Sequence, residues 1–401
     1  MNSADTSFMI ICATFVMLMT PALALFYGGL SRARDILATC MYSYASLGII
    51  TVIWALFGYS LAFGNDIHGL IGDFSFVLLQ DIPSVTAPSA ENIPHTVFMA
   101  FQCMFAVLTV ALISGSYVGR IRFAGMFAFS ILWLIFAYCP MAHWVWGGGW
   151  MAQLGAVDFA GGAVVHMASG AAALACAQVL GPRLKTGSFA PNNLPLTILG
   201  GGLLWFGWFG FNAGSALASG VLAGHALLTT HLATACGILG WMCIEWKKNG
   251  KPTTLGVISG ALAGLVVITP AAGYVSLGAS MIMGFLGGMA CYGGVLLKNR
   301  FGYDDALDVV GIHGLGGTLG ALLTGLFASS KINGVDGLFY GNAWQLVVQA
   351  ISVFGTWIFV YLVSRLILAL VDRIIGLRVE EEAEYIGLDL SEHNERAYNL
   401  Q

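Results

Sequence analysis

Residues 158–170 read DFAGGAVVHMASG, and residues 305–317 read DALDVVGIHGLGG. In each stretch an aspartate is followed eight residues later by a histidine, Asp158 by His166 and Asp305 by His313. Each histidine has a glycine four residues on, Gly170 and Gly317. Both histidines fall in long apolar runs. A histidine inside a membrane-length apolar helix is expensive to bury and marks a functional site by default. Two of them, with one shared upstream spacing, point to a duplicated half-molecule around a central site.

The rest of the chain fits that setting. Of its 401 residues, 58% are hydrophobic and only 9% are charged, against about one-quarter in an ordinary soluble domain. So few charges cannot cover a water-exposed surface, and the chain reads as an all-α polytopic membrane protein in contact with lipid. A net charge of −4 gives no footprint for nucleic acid. The eight cysteines all lie in apolar segments without a CxxC pair, and they read as small apolar side chains. No metal or cofactor site is expected. The 53 glycines suit helices that pack backbone to backbone. The opening MNSADTSF has no basic n-region and runs into an apolar stretch too long for a signal peptide, so the first segment is expected to be a retained helix.

Apolar runs long enough to cross a bilayer fall at 8–30, 36–63, 96–117, 124–146, 159–180, 195–213, 219–246, 254–273, 276–297, 306–328 and 343–372. This predicts eleven transmembrane helices, a membrane domain over 1–372 and a polar tail over 373–401. Basic residues follow the odd-numbered crossings: Arg32 and Arg34, Arg120 and Arg122, Arg183 and Lys185, Lys247, Lys248 and Lys251, Lys298 and Arg300, then Arg365, Arg373, Arg378 and Arg396. Only Lys331 falls on the other side. The positive-inside rule then puts the N-terminus outside and the C-terminus in the cytoplasm. His166 lies on crossing five and His313 on crossing ten, which run in opposite directions. Crossings one to five (8–180) and six to ten (195–328) are therefore expected to be inverted repeats with the path between them, and crossing eleven (343–372) is the additional helix.

Two polar segments flank this core. Residues 64–95 form a long outer loop with Asp66, Asp73, Asp81 and Glu91. The tail carries an acidic cluster of Glu380, Glu381, Glu382 and Glu384, and its composition reads as a solvated terminus.

Three groups of residues carry chemistry. Two neutral imidazoles, His166 and His313, can share one proton and offer fixed polar edges to a small hydrogen-bonding solute; if one protonates, they titrate as a unit. Asp158 opens an apolar helix, where a carboxylate caps free N–H groups and meets the positive end of the helix dipole. Asp305 and Asp308 take the same helix-end reading. The aromatics come third: Trp144 and Trp146 beside Gly147–Gly149, then Trp205, Trp208, Phe209 and Phe211, then Phe101 and Phe105. They read as an interfacial belt or as a cage for a small cation, to which Ser215 adds an acceptor oxygen.

The chain resembles the ammonium transporter family (Amt/Mep, with the Rh proteins as distant relatives), and within it the Amt branch. The resemblance covers nearly the whole length. It rests on PALALFYGGLSR at 21–32, FQCMF at 101–105, HWVWGGGW at 143–150, DFAGGAVVHMASG at 158–170, GWFGFNAGSA at 207–216 and GYDDALDVVGIHGLGGTLG at 302–320. It implies a homotrimer with one path per subunit in a bacterial inner (plasma) membrane, and no enzymatic activity. It implies that Phe105, Trp146 and Ser215 recruit ammonium with Asp158 supporting them from behind. It also implies that Phe105 and Phe211 gate the path, that Trp208 lines it, and that His166 and His313 are its twin pore histidines. Methylammonium is the expected substrate analogue. The tail motif GLDLSEHNERAYN at 387–399 resembles family tails that meet a PII-type signal protein, while the EEE run departs from the usual pattern.

Two rival readings follow. One is an ammonium sensor acting through its tail on a PII-type partner. The other is a bis-histidine haem membrane protein, for which two transmembrane histidines are the right number.

Overall fold

The computed structural model describes residues 1–80, 82, 86–184 and 190–398. Asp81 of the outer loop, Lys185 of the basic alternation and Asn399 of the tail motif lie outside the described residues.

The chain is mostly helical. Among the described residues, ten helices are long and apolar enough to cross a membrane: α1 (Ser3–Leu30), α2 (Ile36–Phe63), α3 (His95–Ser116), α4 (Phe123–Leu154), α5 (Gly162–Leu180), α6 (Leu194–Gly214), α7 (Val221–Asn249), α9 (Leu277–Phe301), α10 (Val310–Phe327) and α11 (Ala343–Ile374). A further apolar helix, α8 (Thr254–Ile268), is shorter. The sequence predicts that crossing over 254–273, but the helix stops before Pro270, which lacks the N–H needed to continue it. Its 15 residues span about 22 Å, less than a bilayer core of about 30 Å. The segment after it folds into turns, and the carbonyl of Pro270 accepts from the amide of Phe159 (3.1 Å) at the approach to α5.

The loop over 64–95 departs from the all-helical expectation. It holds two small antiparallel ribbons, Asp66–Ile67 with Ile71–Gly72 and Thr86–Ala87 with Ala90–Pro94.

Local signals set the helix ends. The Asn2 side chain accepts from the amides of Ala4 (2.9 Å) and Asp5 (3.3 Å) and starts α1. Asn193, Thr253 and Ser276 cap α6, α8 and α9 in the same way.

α1 packs along α6, α7 to α9 form a second cluster, and α11 lies across α5 and α10. The crossing of α5 and α10 is governed by glycine. A Cβ on Gly170 would sit 2.2 Å from the Cα of Gly314, and one on Gly317 would sit 2.7 Å from the carbonyl oxygen of Gly162. The glycine that follows each histidine in the sequence is thus where the two backbones touch.

The basic links gather at one end of the bundle. Arg32 Nη2 donates to the Gly119 carbonyl (3.5 Å), Arg120 Nη2 to that of Asp304 (2.5 Å), and Arg183 pairs with the Asp304 carboxylate (2.7 Å). Lys298 pairs with Asp308 at the same end.

The tail is docked there, contrary to the solvated terminus its composition suggests. The amide of Arg122 donates to the Leu377 carbonyl (2.8 Å) and that of Val379 to the Arg120 carbonyl (3.1 Å). The tail carboxylates act as helix caps. Asp389 accepts from the Ala38 amide (2.8 Å) in the first turn of α2, and Glu392 from the Phe123 amide (2.8 Å) at the start of α4. Glu384 is fully buried, accepting from the Leu184 amide (2.6 Å) and from Arg378 (2.8 Å). Its neighbours Glu381 and Glu382 face solvent.

Candidate functional site

At the other end of the bundle a recess of about 260 Å³ opens between α3, α4 and α6. Phe101, Gln102 and Phe105 reach it from α3, Trp146 from α4, and Ser215 and Leu217 from the end of α6. Trp146 owes its position to Asp158, whose carbonyl accepts from the indole Nε1 (2.9 Å). The Asp158 carboxylate meanwhile accepts from the amides of Gly161 (2.8 Å), Gly162 (2.6 Å), Ala163 (2.7 Å) and Val164 (3.4 Å). One residue thus starts α5 and braces the recess wall. Ser215 Oγ donates to the Phe211 carbonyl (2.9 Å), which leaves its lone pairs free to accept.

The floor of the recess is a pair of rings. Phe105 and Phe211 stack with centroids 4.1 Å apart and planes at 23°, and both are buried. Beneath them Phe211 faces His166 at 6.2 Å, and His166 stacks on Trp208 at 5.3 Å. Trp208 is held by its Nε1, which donates to Thr269 Oγ1 (2.9 Å) just past the end of α8.

Nδ1 of His313 lies 3.2 Å from Nδ1 of His166. For that contact to be a hydrogen bond one nitrogen donates and the other accepts, so the two rings adopt opposite tautomers. His166 Nε2 is buried without a hydrogen-bond partner among the described residues. Both histidines sit in π-helical turns, Gly162–Met167 and Val310–Gly314, each opening its helix. Such wide turns recur at functional sites. Past His313 runs a narrow apolar cavity lined by Leu108, Leu112, Tyr27 and Ile312. Its volume of about 10 Å³ is roughly the room of one water molecule.

Direct contact between the two Nδ1 atoms leaves no space for an iron and a macrocycle between the rings, which removes the bis-histidine haem reading.

Asp305 and Asp308 lie at the opposite end of the path. Asp305 accepts from the Val310 amide (2.7 Å), while Asp308, with φ of 64°, pairs with Lys298 and not with an amide of its own helix. Burial, with the Asp308 charge adding to it, pushes the Asp305 carboxyl up to about 6.

The structure therefore brings Phe105, Trp146, Ser215, Phe211, Trp208, His166 and His313 into one line, with Asp158 behind its aromatic end and Asp305 and Asp308 beyond its other end. Gln102 belongs to the site although the sequence reading did not single it out. Its Oε1 is buried with no partner among the described residues. The available signal was an amide side chain inside the apolar run of α3, three residues before Phe105.

An aromatic recess, a stacked ring pair and two imidazoles in contact follow one another through a bundle of membrane-length helices. Residues 7–398 match the model of the Ammonium Transporter Family, and the chain belongs to that family. It is 51% identical to an ammonium transporter of Bacillus subtilis (strain 168), covering 99% of both chains. Its fold is similar to that of Candida albicans Mep2, with a TM-score of 0.90 and 34% identity over 99% of this chain and 93% of that one. It is also similar to a protein described as a sensor Amt protein, with a TM-score of 0.91 and 26% identity over 97% and 98% of the two chains. The protein is a multi-pass cell-membrane protein of a transporter family and not an enzyme.

Proposed function

We propose that this chain moves ammonium nitrogen across the membrane as ammonia, through a path that runs from the aromatic recess past the ring pair to the twin histidines. The contact between His166 and His313 carries this reading. It presents imidazole edges to a lumen where an uncharged hydrogen-bonding molecule is tolerated and an unpaired cation is not.

Ammonium binds in the recess. The faces of Trp146 and Phe105 attract it by about 0.5–2 kcal/mol, and the oxygens of Ser215 and Gln102 replace part of its water. Moving the intact cation further would leave a charge unsolvated, and burial favours the neutral form, so ammonium gives up a proton at the outer end, either to water on that side or onto the histidine pair. The Phe105/Phe211 stack has to part for ammonia to pass, and the histidine nitrogens then accept its hydrogens or donate to its lone pair. Reprotonation follows on the cytoplasmic side. Potassium has no proton to release, so it stops at the rings.

The architecture that supports this path is an inverted repeat of α1–α5 and α6–α10 with eleven crossings, the N-terminus outside and the C-terminus cytoplasmic. The gathering of Arg32, Arg120, Arg183 and Lys298 at one end supports that orientation. Residues 1–372 are the membrane domain and 373–401 a regulatory segment. The assembly is a homotrimer, and the docked tail is the surface a PII-type protein would meet.

Current across a bilayer holding the purified protein tests how charge moves. An ammonium-dependent current lost in His166→Ala assigns the proton to the histidine pair. Flux without current assigns net ammonia movement.

The sensor reading keeps one supporting observation, the likeness to the sensor Amt protein. Under that reading the purified chain binds ammonium without moving it.

A further inference from the structure

The loop after α6 contains a conformation that its sequence does not favour. Leu217 has φ of 55°. A left-handed residue at a helix C-terminus is ordinarily glycine or asparagine, because a Cβ crowds the backbone there. A leucine held in that state is strained, and such strain persists only where the surroundings impose it.

The surroundings are specific. Asp5, in the first turn of α1, is nearly buried, and one of its oxygens accepts from the Ser219 amide (2.8 Å) and the Ser219 hydroxyl (2.7 Å). Its other oxygen accepts from Asn92 Nδ2 (3.0 Å). That same Asn92 amide donates to the carbonyl of Leu217 (2.8 Å). Three separate segments, the start of α1, the second outer ribbon and the loop after α6, are therefore tied together at Leu217. The residue so held lines the recess together with Ser215 and Trp146.

Glycine would adopt this backbone without strain, so what leucine adds is its side chain. We infer that Leu217 is a water-excluding wall of the ammonium recess, and that Asp5 and Asn92 are positioning residues that hold it there. The physical basis is that an aromatic face attracts a cation more strongly when water is kept away. A leucine at the rim shields the faces of Trp146 and Phe105 and leaves Ser215 and Gln102 as the acceptors. The inference rests on the proposal that the recess is the ammonium site.

The test uses the purified full-length protein in proteoliposomes, with KM and Vmax for methylammonium uptake measured in Leu217→Gly, Leu217→Ala and Asn92→Ala. Both Leu217 variants remove the side chain, but only glycine relieves the backbone. The expectation is that both raise KM by about five- to tenfold with Vmax held, as expected when a cation–aromatic contact becomes solvated. The midpoint of thermal unfolding of Leu217→Gly is expected not to fall below that of the unaltered protein. Asn92→Ala should raise KM in the same direction. An unchanged KM in both Leu217 variants overturns the inference, as does a change in the glycine variant alone, which would trace the effect to backbone freedom. An unchanged KM in Asn92→Ala overturns the positioning role. If the unaltered protein takes up no methylammonium, the proposed function itself fails, and that outcome is distinct from every other.

Discussion

Nδ1 of His313 and Nδ1 of His166 stand 3.2 Å apart, buried between two helices whose glycines are in contact. Each ring fixes the tautomer of the other. Replacing His166 with leucine leaves the His313 nitrogen buried and unpaired, at a cost of about 1–3 kcal/mol of stability. It also removes one polar edge from the path. Initial methylammonium uptake per folded molecule is expected to fall by about tenfold or more, the equivalent of one hydrogen bond of about 1.4 kcal/mol in the limiting barrier. Unchanged uptake in His166→Leu contradicts a conducting role for the pair.

Asp158 joins the start of α5 to Trp146. Alanine there removes the acceptor of four amides, and a single lost cap ordinarily costs about 0.5–2 kcal/mol. Asp158→Ala should lower the unfolding midpoint and raise the KM for uptake together, because the carbonyl that holds Trp146, though kept by alanine, is positioned by the capped turn. Asp158→Asn keeps one oxygen and should fall between alanine and the unaltered protein. A lowered midpoint with normal KM would separate the cap from the recess.

The pH dependence of stability has a predictable sign at Asp305. Its carboxyl is raised from an ordinary 3.8 to about 6, first by burial and then by the Asp308 charge. Between those values the folded state binds more protons than the unfolded chain, so this group's contribution is complete below about pH 4 and is lost as pH rises through about 6. A shift of this size corresponds to roughly 3 kcal/mol at most. Asp305→Asn retains an acceptor for the Val310 amide and carries no charge, so it should be more stable than the unaltered protein above pH 6. Parallel stability curves for the two proteins across this window would refute the assignment.

Removal of residues 376–401 takes away the carboxylates that cap α2 and α4. Loss of the Asp389 and Glu392 contacts should cost about 1 kcal/mol each, and unfolding midpoints will report it. Uptake per folded molecule is expected to survive. Abolished transport in a protein that remains folded would instead make the tail part of the conduction machinery.

Much of this molecule was readable from its residues because membrane burial makes polar groups conspicuous. The spans were legible as apolar runs, and the helix ends mostly fall within a few residues of them. The two histidines stood out because so few polar groups share their surroundings. The short α8 was harder to read, since Thr269–Gly273 is apolar enough to extend the run while Pro270 ends the helix. The outer ribbons carry no alternating pattern long enough to declare a strand. The docked tail was read wrongly for a different reason. A carboxylate that caps a distant helix looks in sequence like one that faces water, and neither Asp389 nor Glu384 reveals that its partner lies some 200 or more residues away. Gln102 and Leu217 likewise gain their meaning only from what the fold brings beside them.

Uptake of labelled methylammonium into proteoliposomes of the purified protein tests the central claim most directly, with ammonium or potassium added as competitor. The account predicts saturable uptake that ammonium suppresses, that equal potassium leaves intact, and that the combined His166→Leu and His313→Leu variant lacks. Uptake suppressed equally by potassium, or no uptake by the folded protein, would contradict it.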